Sequence, residues 1–164
     1  MRIRILASLV GITLLACASS GPSVWARWDE APPRVIHAIA IGALTPETPV
    51  QQEDTEALIT AFRAQFPDVT VVRPPEYAEW RLTFLKTDTV SCNAGANATA
   101  RPLWCWYVIV NHHERASNGE QYDRTIGTVS GETPKSSTSP VQQFVVAFHR
   151  VLSGEALPVR PRTP

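Results

Sequence analysis

Arg34-Val-Ile-His-Ala-Ile-Ala-Ile-Gly42, followed by Thr48-Pro-Val-Gln51 and Val69-Thr-Val-Val72, decides the architecture of this chain. The first stretch is apolar on both faces. Val35, Ile39 and Ile41 alternate with Ile36, Ala38 and Ala40, which predicts a central strand rather than an edge. His37 lies on the bulkier face and reads as a hydrogen-bonded strand histidine. The second stretch is a helix start: Thr48 as N-cap, Pro49 at the first helical position and Gln51 closing a capping box. Leu58, Ile59, Phe62 and Phe66 follow at helical spacing, and Pro67 stops the run. Strand, helix and strand in this order predict a parallel pair joined by a right-handed crossover.

Working toward the C-terminus, Pro74 to Glu79 reads as a turn of helix leading into a third strand, Trp80 to Lys86. Leu103 to His112 is a fourth, antiparallel to the third because the connection is short. Tyr122 to Gly131 is a fifth, after a polar turn at Ser117-Asn118-Gly119. Ser139-Pro140-Val141-Gln142 opens a second helix with the cap chemistry of the first. Its stripe is Val141, Phe144, Val145, Phe148, Val151 and Leu152, and Gly154 ends it. The expected fold is an α/β two-layer sandwich on a mixed five-stranded sheet, β-α-β-β-β-β-α, with two main helices.

Working toward the N-terminus, Arg2 and Arg4 precede an uncharged apolar run, Ile5 to Ala16, too short to span a bilayer. This is the pattern of an export signal. Leu14-Leu15-Ala16-Cys17 resembles the lipobox of bacterial lipoproteins. The resemblance implies that residues 1–16 are removed, that Cys17 carries the acyl chains, and, with Ala18 next, that the chain goes to the outer membrane facing the periplasm. Two other readings stand beside it: Ala16-Cys17-Ala18 and Val24-Trp25-Ala26 each fit the cleavage site of a secreted or soluble periplasmic protein. Residues 17–33 then form a lipidated tether, 34–154 a single domain, and 155–164 a disordered proline-rich tail. Trp25 and Trp28 either sit at headgroup level or fold back on the domain.

The 164 residues carry fifteen basic and fifteen acidic side chains, so the strong positive footprint of a nucleic-acid binder is missing. With Cys17 assigned to the anchor, Cys92 and Cys105 remain as an even pair in an oxidising compartment. A structural disulfide between them would contribute about 3 kcal/mol by the chain-entropy argument. They lack the spacing of a redox pair.

Catalytic patterns give no expectation of an enzyme. The sequence contains neither a phosphate-cradling glycine loop, a His-Glu-x-x-His nor a Gly-x-Ser-x-Gly elbow. His112-His113-Glu114 is the most suggestive metal cluster, but adjacent strand residues point to opposite faces, so no metal and no cofactor are expected. Glu76, Glu79 and Asp88 read as surface charge. The informative constellation is aromatic. Trp104, Trp106, Val108 and Val110 share one face of the fourth strand, and Leu103, Cys105, Tyr107 and Ile109 the other. Two helices cover one sheet face well, and an uncovered apolar face marks an interaction site. Trp104 and Trp106 are the expected partner-binding residues.

In element order, Arg34 to Lys86 and the last helix are similar to the auxiliary lipoproteins of ABC-type lipid transport and to the N-terminal domain of the Tol-system propeller protein. That resemblance implies a non-catalytic accessory or assembly component of an envelope complex. It would be held to the membrane by its acyl chains, with a protein partner and no nucleic acid. An inhibitor or immunity lipoprotein that binds a periplasmic lytic enzyme is the alternative. A small hydrolase is disfavoured, because no nucleophile–base pair is visible.

Overall fold

The computed structural model describes residues 24–43, 46–89, 103–135 and 139–160. In chain order the elements are β1 (Val24–Trp28), β2 (Ala38–Ile41), α1 (Pro49–Gln65), β3 (Thr70–Val72), β4 (Trp80–Thr89), β5 (Leu103–Arg115), β6 (Gln121–Pro134) and α2 (Pro140–Leu152). The strands form one mixed sheet in the order β1-β6-β5-β4-β2-β3. β2 pairs parallel with β3 and β4, whereas β4, β5, β6 and β1 pair antiparallel in succession.

The α/β class, the mixed sheet and the two helices match the expectation; the strand count does not. The sixth strand, β1, lies within the residues expected to be a tether. Its Val24/Ala26/Trp28 alternation against Trp25/Arg27 runs for only five residues, and its stability comes from pairing with β6. Trp25 lies opposite Ser130 and Trp28 opposite Gly127. The two rings therefore fold back onto the sheet. Cleavage after Ala26 would remove most of this strand.

The strand expected from Arg34 to Gly42 is cut to Ala38–Ile41, because β3 offers only three residues for pairing. Val35 is exposed, and His37 precedes the strand, where its carbonyl accepts the Thr70 N–H at 2.9 Å. Residues 74–79 are a loop rather than a helical turn. Its Pro74–Pro75 bond is cis. Two successive prolines exclude the helical conformation there.

The caps divide. Thr48 and Gln51 form the reciprocal capping box (2.8 and 3.3 Å), whereas Ser139 makes no side-chain cap bond. Gly154 ends α2 at φ +94°, a conformation in which a side chain would be strained.

Both helices pack against each other and against one sheet face. The core there joins Leu58, Phe62, Phe144 and Phe148 to Leu82, Phe84, Trp106, Val108, Val110 and Val129. Burying each such side chain contributes roughly 1.5–3 kcal/mol. The tail packs as far as it is described. Leu157 is buried, Pro158 O accepts the Ala26 N–H at 2.9 Å, and Arg160 pairs with Glu132 at 2.8 Å.

Candidate functional site

The alternation on β5 sorts the expected aromatic site into two environments. Trp106 is only 1% exposed. It stacks on Phe84 (6.3 Å between centroids), meets Phe144 edge-on, and donates its indole N–H to Thr133 Oγ1 at 2.9 Å. It belongs to the helix-covered core, so the expectation of a partner surface through Trp106 is corrected. Trp104 lies on the same face, but two residues nearer the sheet end. It is half-buried, with Lys86 Nζ 4.7 Å and Lys135 Nζ 4.5 Å from its ring.

The opposite face carries no helix among the described residues. Cross-strand register places Leu85, Tyr107, Ser130 and Trp25 in one row, and Thr83, Ile109, Thr128 and Arg27 in the next. Tyr107 is 41% exposed; Leu85, Ile109 and Trp25 are half-buried. The guanidinium of Arg160 lies 5.0 Å from the Trp25 ring centroid, so the tail borders this face. The surface is therefore apolar side chains set among hydroxyls, with a tyrosine at its centre. Such a mixture suits contact with another protein, since a tyrosine offers large area and a polar tip at small entropic cost.

A sequence signal for this assignment existed. Leu82 and Phe84 alternate with Thr83, Leu85 and Thr87, and Val129 alternates with Thr128, Ser130 and Glu132. The more uniformly apolar set takes the helices. Reading β5 alone, where both faces carry aromatics, hid that difference.

The histidine cluster diverges as expected from strand alternation. His112 Nδ1 lies 3.0 Å from Glu114 and its Nε2 3.4 Å from Glu79. His113 lies 2.6 Å from Asp123 and 3.2 Å from Gln121, with Tyr77 edge-on to its ring. Asp123 also pairs with the buried Arg81, and Glu114 with Arg124. The Tyr122 hydroxyl, donating at 2.7 Å, and His112 hold the Glu114 carboxyl below the usual glutamate range; in return Glu114 raises Tyr122. Among the described residues no group of three or more His, Cys, Asp or Glu is placed to hold a metal. Glu76 and Glu79 are exposed; the side chain of Asp88 lies outside the described residues.

A cleft of about 440 Å³ opens where β2 ends, between Gly42, Pro46 and Pro75. Its two charged walls are engaged structurally. Glu47 Oε1 accepts the Ala43 N–H at 3.0 Å and the Thr55 hydroxyl at 2.9 Å, and Arg73 pairs with Glu56. Cys17 and Cys92 lie outside the described residues. Cys105 is half-buried on β5, between Thr87 and Glu132.

No family model matches the chain, and no curated protein matches it. Among solved structures it is similar to a PelC dodecamer from Paraburkholderia phytofirmans, with 17% identity, a TM-score of 0.43, and 84% of this chain and 99% of that one covered. It is similar to a PDZ domain protein from Parabacteroides distasonis, with 4% identity, a TM-score of 0.49, and 84% and 36% covered. A minor lipoprotein from Acinetobacter baumannii aligns with 13% identity, a TM-score of 0.29, and 79% and 100% covered. Likeness at this level carries no information about function.

Proposed function

We propose that this chain is a non-catalytic lipoprotein of the cell envelope, fastened through Cys17 to the outer membrane, facing the periplasm, and acting as an accessory or assembly component of a protein complex. The observation that carries the reading is the sheet face centred on Tyr107, which carries no helix among the described residues, with Leu85, Ile109 and Trp25 beside it. The partner surface is this face, in place of the one expected at Trp104 and Trp106. The anchor rests on the order of basic head, apolar run and cysteine in residues 1–17. The Cys92–Cys105 disulfide belongs to the same proposal, as a staple at the end of the β4–β5 hairpin.

A photo-crosslinking amino acid placed at Tyr107 in intact cells tests the reading, with Tyr77, which lies edge-on to His113 away from this row, as the control position. A discrete adduct with an envelope protein from position 107 and none from position 77 supports it. Absence of any adduct from position 107 overturns it. A single adduct with a lytic enzyme selects the inhibitor alternative. Turnover of a substrate by the purified domain overturns the non-catalytic part.

A further inference from the structure

We infer that residues 155–160 guard the outer edge of β1. They stand where β1 of a second copy of this chain would pair, so unseating them opens a two-fold interface between copies. β1 is the last strand on its side of the sheet. Its Ala26 N–H turns away from β6 and donates to Pro158 O at 2.9 Å. Backbone groups alternate in direction along an antiparallel strand. Those of Val24 and Trp28 therefore also point outward, while those of Trp25 and Arg27 serve β6. A row of this kind is a template for pairing with another chain.

The tail lies along that row and clasps it from both faces. Leu157 is buried in the core on the helix-covered side. Arg160 sits on the other side, 5.0 Å from the Trp25 ring centroid and bonded to Glu132 at 2.8 Å. Between these two clamps the backbone makes only half a ladder. Pro158 accepts from Ala26 but has no N–H to return, so the Ala26 carbonyl gains no strand bond from the residue facing it. Val159, next along, is exposed. A proline at an edge stops the sheet from growing there.

The occupant that suits this edge is a second β1. A two-fold axis through Ala26 sets Ala26 opposite Ala26 of the second copy, and each donates to and accepts from the other. Trp25 then faces Arg27 of the second copy in a non-hydrogen-bonded pair, where cross-strand side chains lie closest. Arg27 has the reach for this, since its side chain is 72% exposed and its ion pair with Asp29 is a loose 3.5 Å. The pairing puts a guanidinium on the Trp25 ring, as Arg160 does within the chain. The tail thus supplies one carbonyl and one guanidinium, the same two groups that a second β1 would bring. The second copy adds the donor that Pro158 lacks. Such an isologous contact closes at two copies. It would leave both Tyr107 faces on the same side of one continuous sheet. Nothing in this pairing requires the anchor at Cys17 or a partner on the Tyr107 face.

The test compares the full chain, purified in detergent, with Leu157→Ala and Arg160→Ser by sedimentation over a wide concentration range, after circular dichroism has checked the fold. The dimer dissociation constant should fall about tenfold or more in Leu157→Ala, and by a smaller factor in Arg160→Ser. The Arg160 side chain is at the surface, so that variant decides the outcome alone if Leu157→Ala fails to fold. Adding Arg27→Glu to either variant should abolish the gain. Exchange at the Ala26 amide, fast in the dilute variants, should slow again as the dimer forms. Variants that stay monomeric, or that associate equally well with Arg27→Glu, overturn the pairing. Open-ended aggregation in place of a closed dimer overturns the two-fold. An intact chain that dimerises through β1 as tightly as the variants overturns the guard.

Discussion

Trp106 Nε1 donates to Thr133 Oγ1 at 2.9 Å inside the core, and Thr133 Oγ1 in turn donates to Gln143 Oε1 on α2 at 2.6 Å. One hydroxyl thus ties β5, β6 and α2 together. Thr133→Val keeps the shape but leaves a buried indole N–H unpaired, which costs about 1–3 kcal/mol. Trp106→Ala removes the ring itself and costs about 3–5 kcal/mol. Urea denaturation followed by circular dichroism measures both losses.

At Gly127 an added Cβ would lie 2.3 Å from Trp28 Cε3 and 2.7 Å from the Arg27 carbonyl. Gly127→Ala therefore pushes β1 off β6 or strains the pair, at about 1–3 kcal/mol. Faster hydrogen exchange confined to residues 24–28 and their β6 partners is the expected signature.

Sequence patterning was enough for α1, with its Thr48–Gln51 box and Phe62 stripe, and for the separate β2–β3 and β4–β5 pairs, but not for the β2–β4 pairing that joins them. It was insufficient wherever tertiary contact decides. β1 is five residues long and exists because β6 accepts it. The tail has the composition of a disordered segment, yet Leu157 finds a place in the core. The face of Tyr107 was legible only by comparing three strands, because on β5 alone Trp106 looks as available as Tyr107.

Leu157→Ala leaves a cavity under the tail and should cost roughly 2 kcal/mol or more. The same change should speed exchange at the Ala26 amide, whose hydrogen bond to Pro158 O depends on the tail staying seated. Native-state hydrogen exchange reads both effects.

Glu114 titrates below the ordinary glutamate range because Tyr122 and then His112 bond its carboxylate. Its folded value is depressed, so its contribution to stability is present above the unfolded glutamate value and is lost as pH falls through the folded one. The group is half-buried at the end of the sheet among Tyr122, His112 and Arg124, so the effect is local to the hairpin. Tyr122→Phe should move the Glu114 midpoint upward in a carbon-detected NMR titration, and leave Glu155, held down by Arg150, where it is.

Tyr107→Glu places a charge on the helix-free face at a site 41% exposed. Stability should change by no more than about 0.5 kcal/mol. Capture of the proposed partner should fall at least tenfold, as for a central tyrosine anchor worth about 1.4 kcal/mol or more. A melting curve and a pull-down from solubilised envelopes separate these outcomes.

The seating of Pro158 beside Ala26, with Arg160 returning to Trp25 and Glu132, means that the polypeptide departs beside the point where it arrived. A fluorescent tag or affinity handle joined after residue 160 would therefore emerge beside the stretch of chain that leads into Val24. The same cargo grafted into the Asn118-Gly119 turn would project from the opposite end of the sheet.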